Sequence, residues 1–544
     1  MDATFDYIIV GAGSSGSVLA DRLSAAGRKV LVLEAGGSDR RFFVQMPLGY
    51  GKLFYDPKVN WAYSTEPDPG LNGQRDYWPR GKVLGGSSSI NAMVWIRGDA
   101  SDYDDWQTAT GDSGWGWDAA LAAYREIEDS ADGGNDWRGQ GGPLAIRSNR
   151  DHAHPLVAPF LDACGAAGLP FNPDFNGKTQ EGAGVYQLTV KNGRRNSTAR
   201  AFLRPALKTG RVAVRTGAHV TRVLMDGRRA TGVEYRRNGA YHRALAAEVI
   251  LAGGAINTPQ LLMLSGIGPA ADLTALGIDV VLDQPNVGRH LNDHQGINYT
   301  YRMSVPTMND VLRPWWGKAL AGLRYLATGG GPLSVSINHA GGFFRTDPDL
   351  DRPNMQLYFQ AFSTLMPRDG ERPILNPDDF SGLSIGLSNC RPSSRGEIRL
   401  NSADPFAAPR IAANAFSTDH DVAEMLKAVK FIRQIAAQHP LADLIAEELR
   451  PGPGVATDAA LIDDFRQRSG TVFHPSCTAR MGADPATSVV DAELRVRGID
   501  GLRVCDASAF PTLIGGNTNA PAILMGWLGA QRILAGREGP ESGV

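Results

Sequence analysis

Asp6-Tyr-Ile-Ile-Val-Gly11-Ala-Gly13-Ser-Ser-Gly16, followed by Lys29-Val-Leu-Val-Leu-Glu34, is the stretch that decides the fold. Ile8, Ile9 and Val10 form a short apolar run bounded by glycine, the pattern of a strand buried on both faces. Gly11 permits a tight turn, Gly13 lets the backbone approach a pyrophosphate, and Gly16 lets the next helix pack closely on the strand. That helix, opened by Ser14 and Ser15, carries Val18, Leu19 and Leu23 on one side. Its N-terminal N–H groups and dipole face the phosphates. The second apolar run ends at Glu34, next to Ala35, at the distance expected for an acid that accepts bonds from a ribose and repels a 2′-phosphate. Glycine turns occur in many folds. The strand before, the helix after and the acid beyond make this one a dinucleotide-binding fingerprint. The sequence holds no second one, so one nucleotide site serves one tightly held cofactor.

The chain has 544 residues, a net charge of −2 and 42% hydrophobic residues, which suffices for two domains with separate cores. Its near-neutral balance gives no footprint for nucleic acid or anionic lipid. No run approaches the length of a membrane span. The first strand begins so near Met1 that a cleavable signal peptide is not expected. Cys164, Cys390, Cys477 and Cys505 lack metal or disulfide spacing. A soluble protein of a reducing, cytoplasmic compartment is the expectation.

Nucleotide-type signals recur in three blocks. The second block contains Val212-Ala-Val-Arg-Thr-Gly-Ala-His-Val220 and Glu248-Val-Ile-Leu-Ala252-Gly253-Gly254; the third begins near Gly470. Between them, Asn354-Met-Gln-Leu-Tyr-Phe-Gln, Leu383-Ser-Ile-Gly-Leu-Ser and Glu397-Ile-Arg-Leu alternate as half-exposed strands. A helix follows, with Val422, Met425, Leu426, Val429, Ile432 and Ile435 on one face and N-caps on offer at Ser417, Thr418 and Asp419. The expected fold class is α/β with α+β character. A discontinuous Rossmann-like domain (1–155, 200–299 and 470–544) binds the cofactor. A substrate domain (156–199 and 300–469) is built on an antiparallel sheet flanked by helices.

Three further segments carry a family likeness. Arg80-Gly-Lys-Val-Leu-Gly85-Gly86-Ser87-Ser-Ser-Ile90-Asn91-Ala92-Met-Val94 resembles the first signature of the glucose–methanol–choline (GMC) oxidoreductases. Gly254-Ala-Ile-Asn-Thr-Pro-Gln-Leu-Leu-Met-Leu-Ser265-Gly-Ile-Gly268 resembles the second. Phe473-His474-Pro-Ser-Cys-Thr, Asp506-Ala507-Ser and Gly516-Asn517-Thr518-Asn-Ala-Pro resemble the family's active-site segments. They span the chain in the family's order, and the choline-dehydrogenase-like and aliphatic alcohol dehydrogenase members are the most similar. The resemblance implies FAD and oxidation of an alcohol to a carbonyl. Some members bind the flavin covalently through a histidine of the first signature. Ile90 stands there, so non-covalent FAD is expected. The resemblance places Gly85, Gly86, Ser87, Asn91, Ala92 and Val94 near the flavin, Arg80, Asp506 and Ala507 in the cofactor site, and Val220 at the adenine. Ala252 and Gly253 offer close backbone packing.

Alcohol oxidation needs a base for the hydroxyl proton and a hydride acceptor. His474 suits the base, its ordinary pKa lying near neutral pH. The family's partner position falls on Asn517, which can donate to the substrate oxygen but cannot carry its proton. A His before Pro is otherwise often a loop residue, and Asn517-Thr-Asn519 an ordinary turn and helix cap. A helix from about Ala520 would direct backbone N–H groups near Thr518 at the negative pole of reduced flavin. His474 and Cys477 have metal-like spacing but no companion ligands, so no metal is expected. His290 and His294 read as structural. Trp315, Trp316, Tyr358, Phe359 and Phe362 supply aromatics for a choline cage, but no carboxylate clearly completes one. The expected reaction is oxidation of a non-choline primary alcohol. A quinone or another non-NAD molecule is the expected electron acceptor. An oxidase using O₂ and a lyase with non-redox flavin are the alternatives.

Overall fold

The computed structural model describes residues 5–365 and 376–536. The fingerprint forms β1 (Phe5–Val10), α1 (Ser14–Ala25) and β2 (Val30–Glu34). Next come β3 (Gly182–Val185), β4 (Val212–Thr216), β5 (His219–Asp226), β6 (Arg229–Arg237), β7 (Ala240–Leu251) and α2 (Gly254–Leu264). The middle region adds β8 (Gln295–Met303), α3 (Trp315–Thr328), β9 (Ala340–Phe344), β10 (Met355–Gln360), β11 (Gly382–Asn389), α4 (Asp419–Ala436) and β12 (Ile445–Arg450). The C-terminal part supplies β13 (Gly470–Thr471), β14 (Leu502–Val504) and α5 (Asn519–Ala535).

Two large sheets result. The first is parallel, in the order β4-β2-β1-β7, with β14 beyond β7. β7 serves two neighbours. Its Ala246–Leu251 half pairs with β1, and its Ala240–Leu245 half pairs antiparallel with β6, which continues to β5. Tyr7, Ile8, Ile9 and Val32 are fully buried, as a parallel sheet covered on both faces requires. Val18, Leu19 and Leu23 of α1 point into this core. α5 crosses α1 so closely that a Cβ on Gly526 would lie 2.7 Å from the Ser15 carbonyl oxygen.

The second sheet is antiparallel, in the order β12-β8-β11-β10-β9-β3, with β13 on the first residues of β8. One face carries Met355, Leu357, Phe359, Leu383, Ile385 and Leu387, packed with Met425, Val429, Ile432 and Ile435 of α4. Thr418 caps the start of α4, its hydroxyl accepting the Asp421 N–H at 3.3 Å. The alternate residues Gln356, Tyr358, Ser384 and Ser388 are buried as well. The alternation expected to mark half-exposed strands therefore marks an interior polar face. Glu397–Arg399 lies outside the sheet, in a ribbon with Arg410–Ala412. β8 begins at Gln295, slightly ahead of the division expected at 300.

Candidate active site

A cavity of about 890 Å³ is lined by both sheets. The nucleotide side contributes Gly11, Gly13, Ser14, Ser15, Glu34, Ala35, Val220, Ala252 and Gly253. Arg80, Gly86, Ser87, Asn91, Ala92, Val94, Asp506, Ala507 and Thr518 also reach its wall, together with His474 and Asn517. Gly16 and Gly85 do not. Gly16 faces the turn after β1, where a Cβ would lie 2.0 Å from the Gly11 carbonyl oxygen. Gly85 has φ +87°, and its N–H donates to the Ala12 carbonyl at 2.7 Å. Both shape the cradle from behind.

The cradle fits an anionic dinucleotide. A Cβ on Gly11 would lie 2.4 Å from the Ala252 carbonyl oxygen, and one on Gly86 would lie 2.7 Å from Gly13 Cα. Backbone thus approaches backbone where side chains would fill the space. α1 and α5 both begin without a side-chain cap. Their N-termini converge, since Ser14 Oγ donates to Asn519 Oδ1 at 2.8 Å. Two helix dipoles therefore turn positive ends toward one cavity. Glu34 is buried and already accepts the Ala12 N–H at 3.0 Å and the Gly36 N–H at 2.8 Å. Burial raises its pKa to about 7, against those two bonds and Lys82. Asp506 is more constrained than a ligand-binding acid would be. It accepts from Gly254 N–H (2.7 Å), Thr258 Oγ (2.6 Å), Ser508 N–H (2.8 Å) and Ser508 Oγ (2.5 Å). It fastens the start of α2 to the segment after β14.

His474 occupies a loop fixed against the segment preceding β8. Asn292 and Ser476 form an antiparallel bridge, as do Gln295 and Thr471. Between them, Asp293 accepts the His474 N–H at 2.8 Å and the Thr471 hydroxyl. Arg80 donates to the Phe473 carbonyl at 2.6 Å, so its side chain holds this loop. Phe473 pays with φ +74°, a left-handed conformation uncommon for its type.

This register brings two histidines together. His474 Nδ1 lies 2.9 Å from His294 Nδ1, and His294 Nε2 lies 3.0 Å from the Cys390 carbonyl oxygen. A carbonyl only accepts, so His294 Nε2 carries the hydrogen. Neutral His294 then presents a bare Nδ1, and His474 Nδ1 must donate to it. His474 is left with an unprotonated Nε2, 3.2 Å from Asn517 Nδ2. Asn517 Oδ1 in turn accepts from Gln356 Nε2 at 3.1 Å, and Gln356 Oε1 accepts from Tyr358 OH at 2.9 Å. The chain of bonds fixes both the amide orientation and the imidazole tautomer. Burial, then His294 and Arg80, hold the His474 pKa well below its ordinary value; burial first takes His294 down to about 3. The arrangement offers a neutral nitrogen base beside an amide donor.

His294 therefore departs from its reading as a structural residue and belongs to this site. His290 bonds Asn286 at 3.1 Å instead. Of the five aromatics, Tyr358 alone reaches the cavity wall. Phe359 and Phe362 are buried in cores, and Trp315 and Trp316 face outward. Tyr50, Phe54 and Phe473 line the cavity although no motif announces the first two.

The family model described as GMC oxidoreductase matches residues 5–296 and 392–526. The chain belongs to the GMC oxidoreductases. An alcohol dehydrogenase [acceptor] of Pseudomonas putida is 42% identical over 537 residues, covering 97% of this chain and 96% of the relative. An oxygen-dependent choline dehydrogenase of Vibrio vulnificus is 40% identical, covering 98% and 95%. Among solved structures, pyridoxine 4-oxidase from Mesorbium loti matches with TM-score 0.88 and 30% identity, covering 98% of this chain and 99% of that one. A formate oxidase matches with TM-score 0.89 and 28% identity, covering 99% of each. Among the described residues of this GMC member, no helix is long and apolar enough to cross a membrane.

Proposed function

We propose that this GMC oxidoreductase is an FAD-dependent alcohol dehydrogenase that converts a primary alcohol to an aldehyde. The observation that carries the reading is the hydrogen-bond chain leaving His474 Nε2 unprotonated beside Asn517. The convergent N-termini of α1 and α5 would hold the pyrophosphate and the negative end of the flavin, Glu34 the ribose, and Val220 the adenine. Bound FAD would supply the hydride acceptor. His474 Nε2 takes the hydroxyl proton. Asn517 has two amide hydrogens, so one can steady the substrate oxygen as charge develops there. Gln356 and Tyr358 keep that amide from flipping. Ile90 offers no nucleophile for a flavin link, so the cofactor is non-covalent and its colour should leave the pellet on acid precipitation.

Among the described residues, Glu34 and Asp506 are the only carboxylic acids on the cavity wall, and both belong to the nucleotide side. Among the described residues no acid thus faces a quaternary ammonium, and this supports an uncharged primary alcohol over choline. Anaerobic mixing with an alcohol panel that includes choline tests both points. Uncharged primary alcohols should bleach the flavin faster than choline. Bleaching by choline alone would replace the substrate assignment, and bleaching by none would end the dehydrogenase reading. The second reading, an oxidase, follows from the oxidases among the structural neighbours; peroxide at one equivalent per turnover in air would establish it.

A further inference from the structure

α3 is turned inside out for a water-facing helix. Its inward residues include Gly317 and Ala321, while Trp315, Trp316, Leu320, Leu323 and Leu326 are 80, 56, 61, 65 and 72% exposed. A surface helix normally shows the opposite pattern. Phe42 (54% exposed) extends the patch, its ring centroid 6.4 Å from that of Tyr325 on α3. A contiguous apolar surface of this kind marks an interaction site.

What covers it is indicated by the charges alongside. A surface depression next to α3 is lined by Arg40, Arg41, Arg194 and Arg204 together with Phe42 and Leu326. Arg204 is paired with Asp39 at 2.7 Å, whereas Arg40, Arg41 and Arg194 make no ion pair among the described residues. Segments 40–54, 191–204 and 315–328 contain lysines and arginines but no Asp or Glu. A second copy of this chain docking face to face would bring like charges together. Tryptophans and leucines bordered by unpaired arginines instead match the boundary of a bilayer, where rings meet the headgroup level and guanidinium groups meet phosphate. We propose that α3 docks in the plane of an anionic phospholipid membrane. Trp315, Trp316 and the leucines enter the acyl boundary, and Arg40, Arg41 and Arg194 bind headgroup phosphates. The same stretches of chain continue to the active-site cavity, reaching it at Tyr50 and Phe54 and at Ile337 and Asn338.

Co-sedimentation of the full-length protein with vesicles tests this. Vesicles of phosphatidylcholine plus phosphatidylglycerol should carry the protein down, and phosphatidylcholine alone should not. Raising the salt should release it. The double variants Trp315→Ser/Trp316→Ser and Arg40→Gln/Arg41→Gln should each weaken binding roughly tenfold or more, from several-fold per basic group at a surface. Their melting temperatures and bound flavin should stay at the parent's level. Sedimentation with neither vesicle, equal sedimentation with both, or unchanged binding by the two variants would overturn the proposal. A dimer in light scattering that the tryptophan variant dissolves would assign the face to a second copy and overturn it too.

Discussion

At the scale of single residues, the site rests on which imidazole nitrogen carries hydrogen. His474→Ala should slow flavin reduction by roughly 10²-fold or more while FAD stays bound. Unchanged reduction kinetics would remove His474 from the base role. His294 acts through His474, so it is a positioning residue. In His294→Leu the buried His474 Nδ1–H loses its acceptor, and the tautomer with a free Nε2 is no longer favoured. Reduction should slow by roughly tenfold or more, and His294→Gln, which can still accept there, should recover much of it. Equal rates in the Leu and Gln variants would mean that His294 only fills space. Because burial depresses the His474 pKa, the acid limb of kcat/KM should fall below the usual histidine range, with activity persisting below pH 6.5. His474 and Asn517 could be singled out from the sequence because family-like segments surround them. His294 could not. It lies 180 residues away, and the pairings of Asn292 with Ser476 and of Gln295 with Thr471 bring it behind His474.

At the scale of elements, local periodicity was a good guide to what forms and a poor guide to what it faces. The fingerprint's strand, turn, helix and acid all follow from residue spacing, because contacts within one β-turn-α unit are local. β10 was equally legible as a strand. Its polar residues face a cavity rather than water, and no pattern within Asn354–Gln360 distinguishes those two cases. Two glycine backbones meet in the cradle where Gly86 approaches Gly13. In Gly86→Ala the new Cβ would stand 2.7 Å from a backbone carbon at φ +53°, and no side-chain rotation relieves it. The cradle must open, so purified Gly86→Ala should carry little flavin while its far-ultraviolet circular dichroism stays at the parent's level. Full flavin occupancy would show that this close approach is dispensable.

At the scale of the whole molecule, averages conceal opposed local terms. The net charge of −2 hides the basic border of α3, and acid stability hides a similar cancellation. Burial lowers the pKa of His294 and His339 from 6.5 to about 3 and holds His474 far down as well. As pH falls below 6.5, the unfolded chain gains a proton at each site and the folded chain does not, so these groups lose stability with falling pH. Each contributes up to about 1.4 kcal/mol per pH unit. Burial raises the pKa of Asp293 from 3.8 and of Glu34 from 4.5 to about 7 in each case, and raises that of Asp506. From pH 7 down to about 4.5, the folded chain holds protons at Asp293 and Glu34 that the unfolded chain lacks, so these groups gain stability over the same range. His290, held down to about 4, joins the first set and Asp21, raised to about 6, the second, and the two sets oppose each other over this range. The melting temperature should therefore change little between pH 7 and pH 5. It should drop steeply below about pH 4, where unfolded carboxylates protonate too and the buried histidines still refuse the proton. Asp293→Asn removes one compensating group. Its melting temperature should already slope downward between pH 7 and pH 5, by the equivalent of about 1 kcal/mol per pH unit relative to the parent. Parallel pH profiles for the two proteins would show that Asp293 does not take up a proton in the folded state.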